Sequence, residues 1–134
     1  MEEEVTGLAN KWTQRIAAEV RADLQCTLLD PPFEGDRDIE SRGFWMRPVA
    51  STEERRLKML RQHAFTSLNC LLEGVAKWEP DVIVGYGQGG LIAALSSLPM
   101  ALEAACRTRV VTPEVLEDYR RAWAGVTEIG RAHV

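Results

Sequence analysis

The residues of this chain whose types and spacing bear most directly on chemistry are Gly85-Tyr86-Gly87-Gln88-Gly89-Gly90, inside the stretch DVIVGYGQGGLIAA from Asp81 to Ala94. A short apolar run enters the glycines and a helical pattern leaves them, which reads as strand, tight turn and helix start. Two chemistries use such a junction. In the first, G-x-S-x-G, a serine sits at the tip of a sharp strand-to-helix turn with its Oγ exposed for attack on a carbonyl. In the second, G-x-G-x-x-G, backbone N–H groups and the helix dipole receive a phosphate. Gly85, Gly87 and Gly90 fit the second pattern literally. Gly85 and Gly89 fit the small positions of the first, with Gly87 at its tip. Glycine has no Oγ, so that tip cannot act as a nucleophile. A third reading is purely structural: the glycines make the tight turn and let strand and helix approach.

Each chemical reading demands partners elsewhere. A dinucleotide turn wants an acid at the end of the next strand, roughly 20 residues on. Glu103 has about that spacing but lies in a helical stretch, and the run Arg109 to Val111 is followed by Thr112. A catalytic turn wants an acid and then a histidine after the nucleophile in chain order. Asp118 follows, but on an amphipathic helix, where a solvated carboxylate is the rule. The one histidine after Gly87 is His133, in the last residues, while His63 precedes the turn on a long helix and reads as structural or surface. Ser96 and Ser97 lie along the helix, about 14 Å from the tip at 1.5 Å per residue, too far to replace its geometry.

The elements that must position the turn follow from periodicity. Val5, Leu8, Trp12, Ile16 and Val20 recur at three and four, an amphipathic helix to about Ala22. Leu24 to Asp30 is a short apolar run stopped by Pro31-Pro32 and reads as a buried strand. Residues 31–50 read as loop. Ser51-Thr52-Glu53-Glu54 is a capping-box signature opening a helix whose stripe is Leu57, Leu60, Ala64, Leu68, Leu71, Val75 and Trp78, ended by Pro80. Asp81 to Val84 is the second strand. Leu91, Ile92, Leu95 and Leu98 continue a helix that Pro99 should kink or restart, with Ser96 and Ser97 as caps for the restart. Thr112-Pro113-Glu114 places an N-cap before proline at N1, for a last helix to about Ala124. Alternation of helices and strands predicts a parallel sheet covered on both faces.

Three landmarks in this order resemble the FSH-type serine hydrolases of the α/β-hydrolase superfamily. Their turn reads G-F-S-Q-G-[AG] after an aspartate-containing strand entry, and this chain has Asp81, Gly85, the aromatic Tyr86, Gln88, Gly89 and Gly90 at those positions. LLDPPFEG stands where the family has an Asp-Ala-Pro-like segment, and RGFWMRP where it has a Gly-aromatic-Trp segment. The likeness runs from about Leu24 to Ala94. It implies a parent enzyme that cleaves an ester or thioester through an acyl-serine, with the N–H of Gln88, next to the nucleophile position, helping to hold the oxyanion. The family's serine corresponds to Gly87. Its first strand and His-Gly oxyanion segment would fall before Met1, and no histidine partner follows the turn outside the last residues.

The remaining features bound the reading. With 134 residues, 46% hydrophobic and 27% charged, the chain has the composition of one soluble globular domain. A net charge of -4 gives no reason to expect nucleic acid, and no apolar run approaches the length of a membrane helix. The acidic start MEEEV is the reverse of a secretory leader. Cys26, Cys70 and Cys106 are odd in number, widely spaced and without a CxxC, which suggests neither a zinc site nor disulfides; Cys26 and Cys70, among apolar residues, read as core thiols in a reducing, cytoplasmic setting. Arg55-Arg56 and Arg120-Arg121 read as solvated helix faces, and Phe44 and Trp45 as aromatics tucked over the sheet. IGRAHV, Ile129 to Val134, has neither period nor apolar face; it can be encoded by ATCGGAAGAGCACACGTC, which is similar to a sequencing-library adapter.

The expectation is therefore an α/β fold, a partial α/β-hydrolase-like parallel sheet flanked by helices, over residues 1–127. Residues 128–134 are expected to be a non-native or disordered tail. The expected function is that of a serine-hydrolase-like domain without an intact catalytic set. A nucleotide- or anion-binding module using Gly85 to Gly90 and a non-catalytic protein-interaction domain are the alternatives. Expected ligands are a small ester or an anion, with no cofactor, metal, nucleic acid or membrane.

Overall fold

Thr52 opens the helix that organises the molecule. Its extended backbone (φ -121°, ψ 150°) and its Oγ1, which accepts from the Arg55 N–H at 3.3 Å, satisfy one of the donors that a helix start leaves without an intrahelical acceptor. Glu53 and Glu54 then place negative charge against the positive end of the dipole. The helix that follows, α1 (Glu53–Trp78), runs 26 residues. It stops where Glu79 turns left-handed (φ 45°) and returns its N–H to the Val75 carbonyl, just before Pro80. The computed structural model describes residues 11, 14–15, 18–19, 27–33, 43–44, 50–85, 87–124 and 131–132.

Beyond α1 come β1 (Ile83–Val84), α2 (Gln88–Ser96), α3 (Pro99–Arg107), α4 (Pro113–Trp123) and β2 (Arg131–Ala132). Near the start of the chain, Lys11, Gln14, Arg15, Ala18 and Glu19 are helical and exposed, a spacing of three and four that marks the solvent side of a helix. The apolar residues expected opposite them, Val5, Leu8, Trp12, Ile16 and Val20, lie outside the described residues.

The expected parallel α/β sheet is not what forms; the molecule is mostly helical. β1 pairs in parallel with β2 over two residues only, Ile83 with Arg131 and Val84 with Ala132. The strand expected over Leu24 to Asp30 is absent from its described part: Thr27 to Asp30 are irregular, and Leu28 is 42% exposed. Arg109 to Val111 are a turn, with Arg109 at φ 63°. The physical reason is that the helices bury one another. Phe65, Leu68, Leu72 and Val75 of α1 meet Leu102 and Ala105 of α3, Val111, and Leu116 and Tyr119 of α4 in one core, with Ile83 and Leu95 packed at its margin. Burying side chains of this kind stabilises by roughly 1.5–3 kcal/mol each, and the helical stripes supply that apolar area to each other without a sheet between them.

The core face of α1 is also narrower than the stripe read from sequence. Leu57 and Trp78, at its two ends, are 59% and 42% exposed, whereas Phe65 and Leu72 belong to the core. Pro99 separates α2 from α3, which meet at 90°. Ser96 and Ser97 do not cap α3, whose N-cap is Leu98. Their hydroxyls donate back to the carbonyls of Ala93 (2.6 Å) and Ala94 (2.8 Å), closing the end of α2. Tyr119 ties this corner to α4: its buried hydroxyl donates to the Ser96 carbonyl at 2.6 Å and its ring stacks on Trp123. Thr112 caps α4 as its sequence predicts, with Oγ1 accepting from the Val115 N–H at 3.2 Å and Pro113 in the first turn.

Candidate functional site

β1 delivers the chain to Gly85, and the next turn brings the backbone of α2 directly over it. A Cβ at Gly85 would lie 2.5 Å from Gly90 Cα, 2.7 Å from the Gly89 oxygen and 2.8 Å from the Gly90 nitrogen. Only a residue without a side chain lets strand and helix meet this closely. Gly87 is the N-cap of α2 at φ 58° and ψ -125°, and its carbonyl accepts from the Gly90 N–H at 3.1 Å. That backbone is strongly disfavoured for residues with a Cβ. Space is not the constraint there, because a Cβ at Gly87 would have nothing within 4 Å. The turn thus holds its tip exposed at a strand–helix junction, in a conformation that glycine adopts without strain and other residues would not. Tyr86 lies outside the described residues.

The turn is held from one side by the segment around Phe44. The Phe44 N–H donates to Gln88 Oε1 at 2.8 Å, and the Ser67 hydroxyl of α1 donates to the Phe44 carbonyl. The Phe44 ring sits against Gly89, with Cε2 3.3 Å from where a Cβ would be. Gly43 in turn exchanges two backbone hydrogen bonds with Phe33, at 3.2 and 2.8 Å, and the Phe33 ring stacks on His63 with centroids 4.1 Å apart. The three segments singled out in sequence, around Phe33, around Phe44 and at Gln88-Gly89, are therefore joined in space and anchored to α1 through Ser67 and His63.

Chemically, the described residues of the glycine turn offer backbone N–H groups and no reacting side chain. Gly85, Gly87, Gly89 and Gly90 have no functional group, and the Gln88 carboxamide does not titrate. α2 begins with no side-chain cap and no acidic residue in its first turn. His63 is occupied as a stacking partner. Asp118 is exposed on α4, with Arg121 Nη2 at 3.9 Å. Glu103 is exposed on α3, so no acid stands at the end of a strand following the turn. Arg55 and Arg56 are exposed; Arg56 Nη1 donates to the Ala50 carbonyl at 3.1 Å. Arg120 is exposed, and Arg121 pairs with Glu117 one turn before it at 3.3 Å, both side chains in solvent. Trp45, Cys26 and His133 lie outside the described residues.

Cys70 and Cys106 are half-buried free thiols. Burial, and secondarily the carboxylate of Glu73, push the Cys70 thiol above its ordinary pKa, the opposite of what a reactive cysteine needs. Among the described residues no group of histidine, cysteine and acidic side chains is placed to hold a metal ion. A shallow depression of about 280 Å³ lies between α1 and α4, lined by Glu73, Ala76, Lys77, Val115 and Asp118, and no residue of the glycine turn borders it. No single helix among the described residues is long and apolar enough to cross a membrane.

Sequence reasoning missed the roles of Ser67, the Gln88 side chain and the Phe33–His63 stack. One signal was present for Ser67. It is a polar residue between Phe65 and Leu68 on the core side of α1, and a buried hydroxyl must find a partner. Comparison with known proteins finds no matching family model, no matching curated protein and no matching solved structure.

Proposed function

We propose that the turn from Gly85 to Gly90 is a serine-hydrolase-type turn emptied of its nucleophile, and that this chain performs no acyl transfer. The observation that carries the reading is the backbone of Gly87: exposed, at φ 58° on the junction of β1 and α2, with open space where a side chain would project. A nucleophile needs such a tip. The resemblance of DVIVGYGQGG to the FSH-type turn supports the same reading, with Gln88 retained beside the vacant position. Here Gln88 also binds the Phe44 segment, so its side chain serves the architecture of the turn.

The dinucleotide reading draws less support, since it requires an acid beyond a second strand and Glu103 lies on a helix. The test is ester hydrolysis together with nucleotide titration. The chain should leave p-nitrophenyl acetate at its uncatalysed rate and show no saturable binding of NAD or ATP. Gly87→Ser should fold yet remain without activity, because His63, the histidine among the described residues, is stacked on Phe33 rather than placed at the tip to take the proton. Hydrolysis by the unaltered chain, or nucleotide binding abolished by Gly87→Ser, would overturn the proposal.

A further inference from the structure

We draw no further inference here: the strongest candidate, the exposed apolar side chains flanking the glycine turn, Val82 and Val84 at β1 and Leu91 on α2, has nothing in the structure to show what covers it.

Discussion

Replacing Gly85 and Gly87 separately by alanine tests the geometry of the turn, because the two glycines are required for different reasons. At Gly85 the obstacle is steric. The new Cβ would sit 2.5 to 2.8 Å from three atoms, all of them backbone of Gly89 and Gly90. Carbon contacts are favourable only from about 3.5 Å, so each overlap approaches 1 Å. None can be relieved by rotating a side chain, and α2 must move away from β1. Overpacking costs typically 1–3 kcal/mol, and three backbone clashes place Gly85→Ala at about 3 kcal/mol or above. At Gly87 the Cβ meets nothing within 4 Å and only the backbone conformation, φ 58° and ψ -125°, opposes it, a cost of about 1–3 kcal/mol. Urea unfolding followed by helical circular dichroism reads the difference. With a slope of about 1.5 kcal/mol/M, Gly85→Ala should lower the midpoint by about 2 M or more and Gly87→Ala by about 0.7–2 M. A Gly87→Ala variant more damaged than Gly85→Ala would refute the reasoning, since backbone conformation alone would not account for the loss.

Three further outcomes are expected. Tyr119→Phe removes a buried donor from the Ser96 carbonyl and should cost about 1–2 kcal/mol, seen as a melting temperature several degrees lower; an unchanged melt would mean that α4 is not tied to the end of α2. Gln88→Ala should accelerate hydrogen exchange at the Phe44 amide while leaving the amides of mid-α1 protected, and Gln88→Glu, which keeps an acceptor, should restore protection; equal exchange in all three proteins would show that Gln88 does not hold that segment. Cys70 should react slowly with a neutral disulfide reagent near pH 7, and Glu73→Gln should speed it modestly by removing the smaller of the two influences that raise its pKa. The sign for stability is fixed by the same shift. The unfolded thiol ionises first, so the unfolded state binds fewer protons and stability falls as pH rises past about 8.5. A Cys70→Ser variant should lose that part of the decline.

Capping and proline chemistry made the helices legible. Thr112 states its helix start through a side-chain oxygen three residues before an N–H, the start of α1 falls at Thr52, one residue after the Ser51 of the expected capping box and with Arg55 in place of its acid, and Pro99 and Pro113 fix a break and a beginning, all local effects that need no tertiary partner. The glycine turn was legible for the same reason, because Gly85 answers to backbone within five residues and Gly87 to its own positive φ. The strands were not. A run such as Leu24 to Asp30 becomes a strand only if another strand accepts its backbone groups, and no local pattern records whether one does. Asp81 to Val84 reads as four residues of strand, yet only Ile83 and Val84 find a partner, Arg131-Ala132, 48 residues away. The alternation that predicts a parallel sheet counts elements and is blind to whether amphipathic helices satisfy one another first, as α1, α3 and α4 do around Leu68, Leu72 and Tyr119. Ser67 and Gln88 escaped notice because their partner, Phe44, is 23 and 44 residues distant.

The most direct measurement of the central claim is the intact mass of the protein after exposure to an excess of a fluorophosphonate, which forms a covalent adduct with an activated serine. Ser67 and Ser96 are buried with their hydroxyls donated to carbonyls, and the tip of the turn carries no side chain at Gly87. The account predicts an unchanged mass, for the chain as it stands and for Gly87→Ser alike. Stoichiometric addition of one phosphonyl group to any serine of the unaltered chain would contradict it.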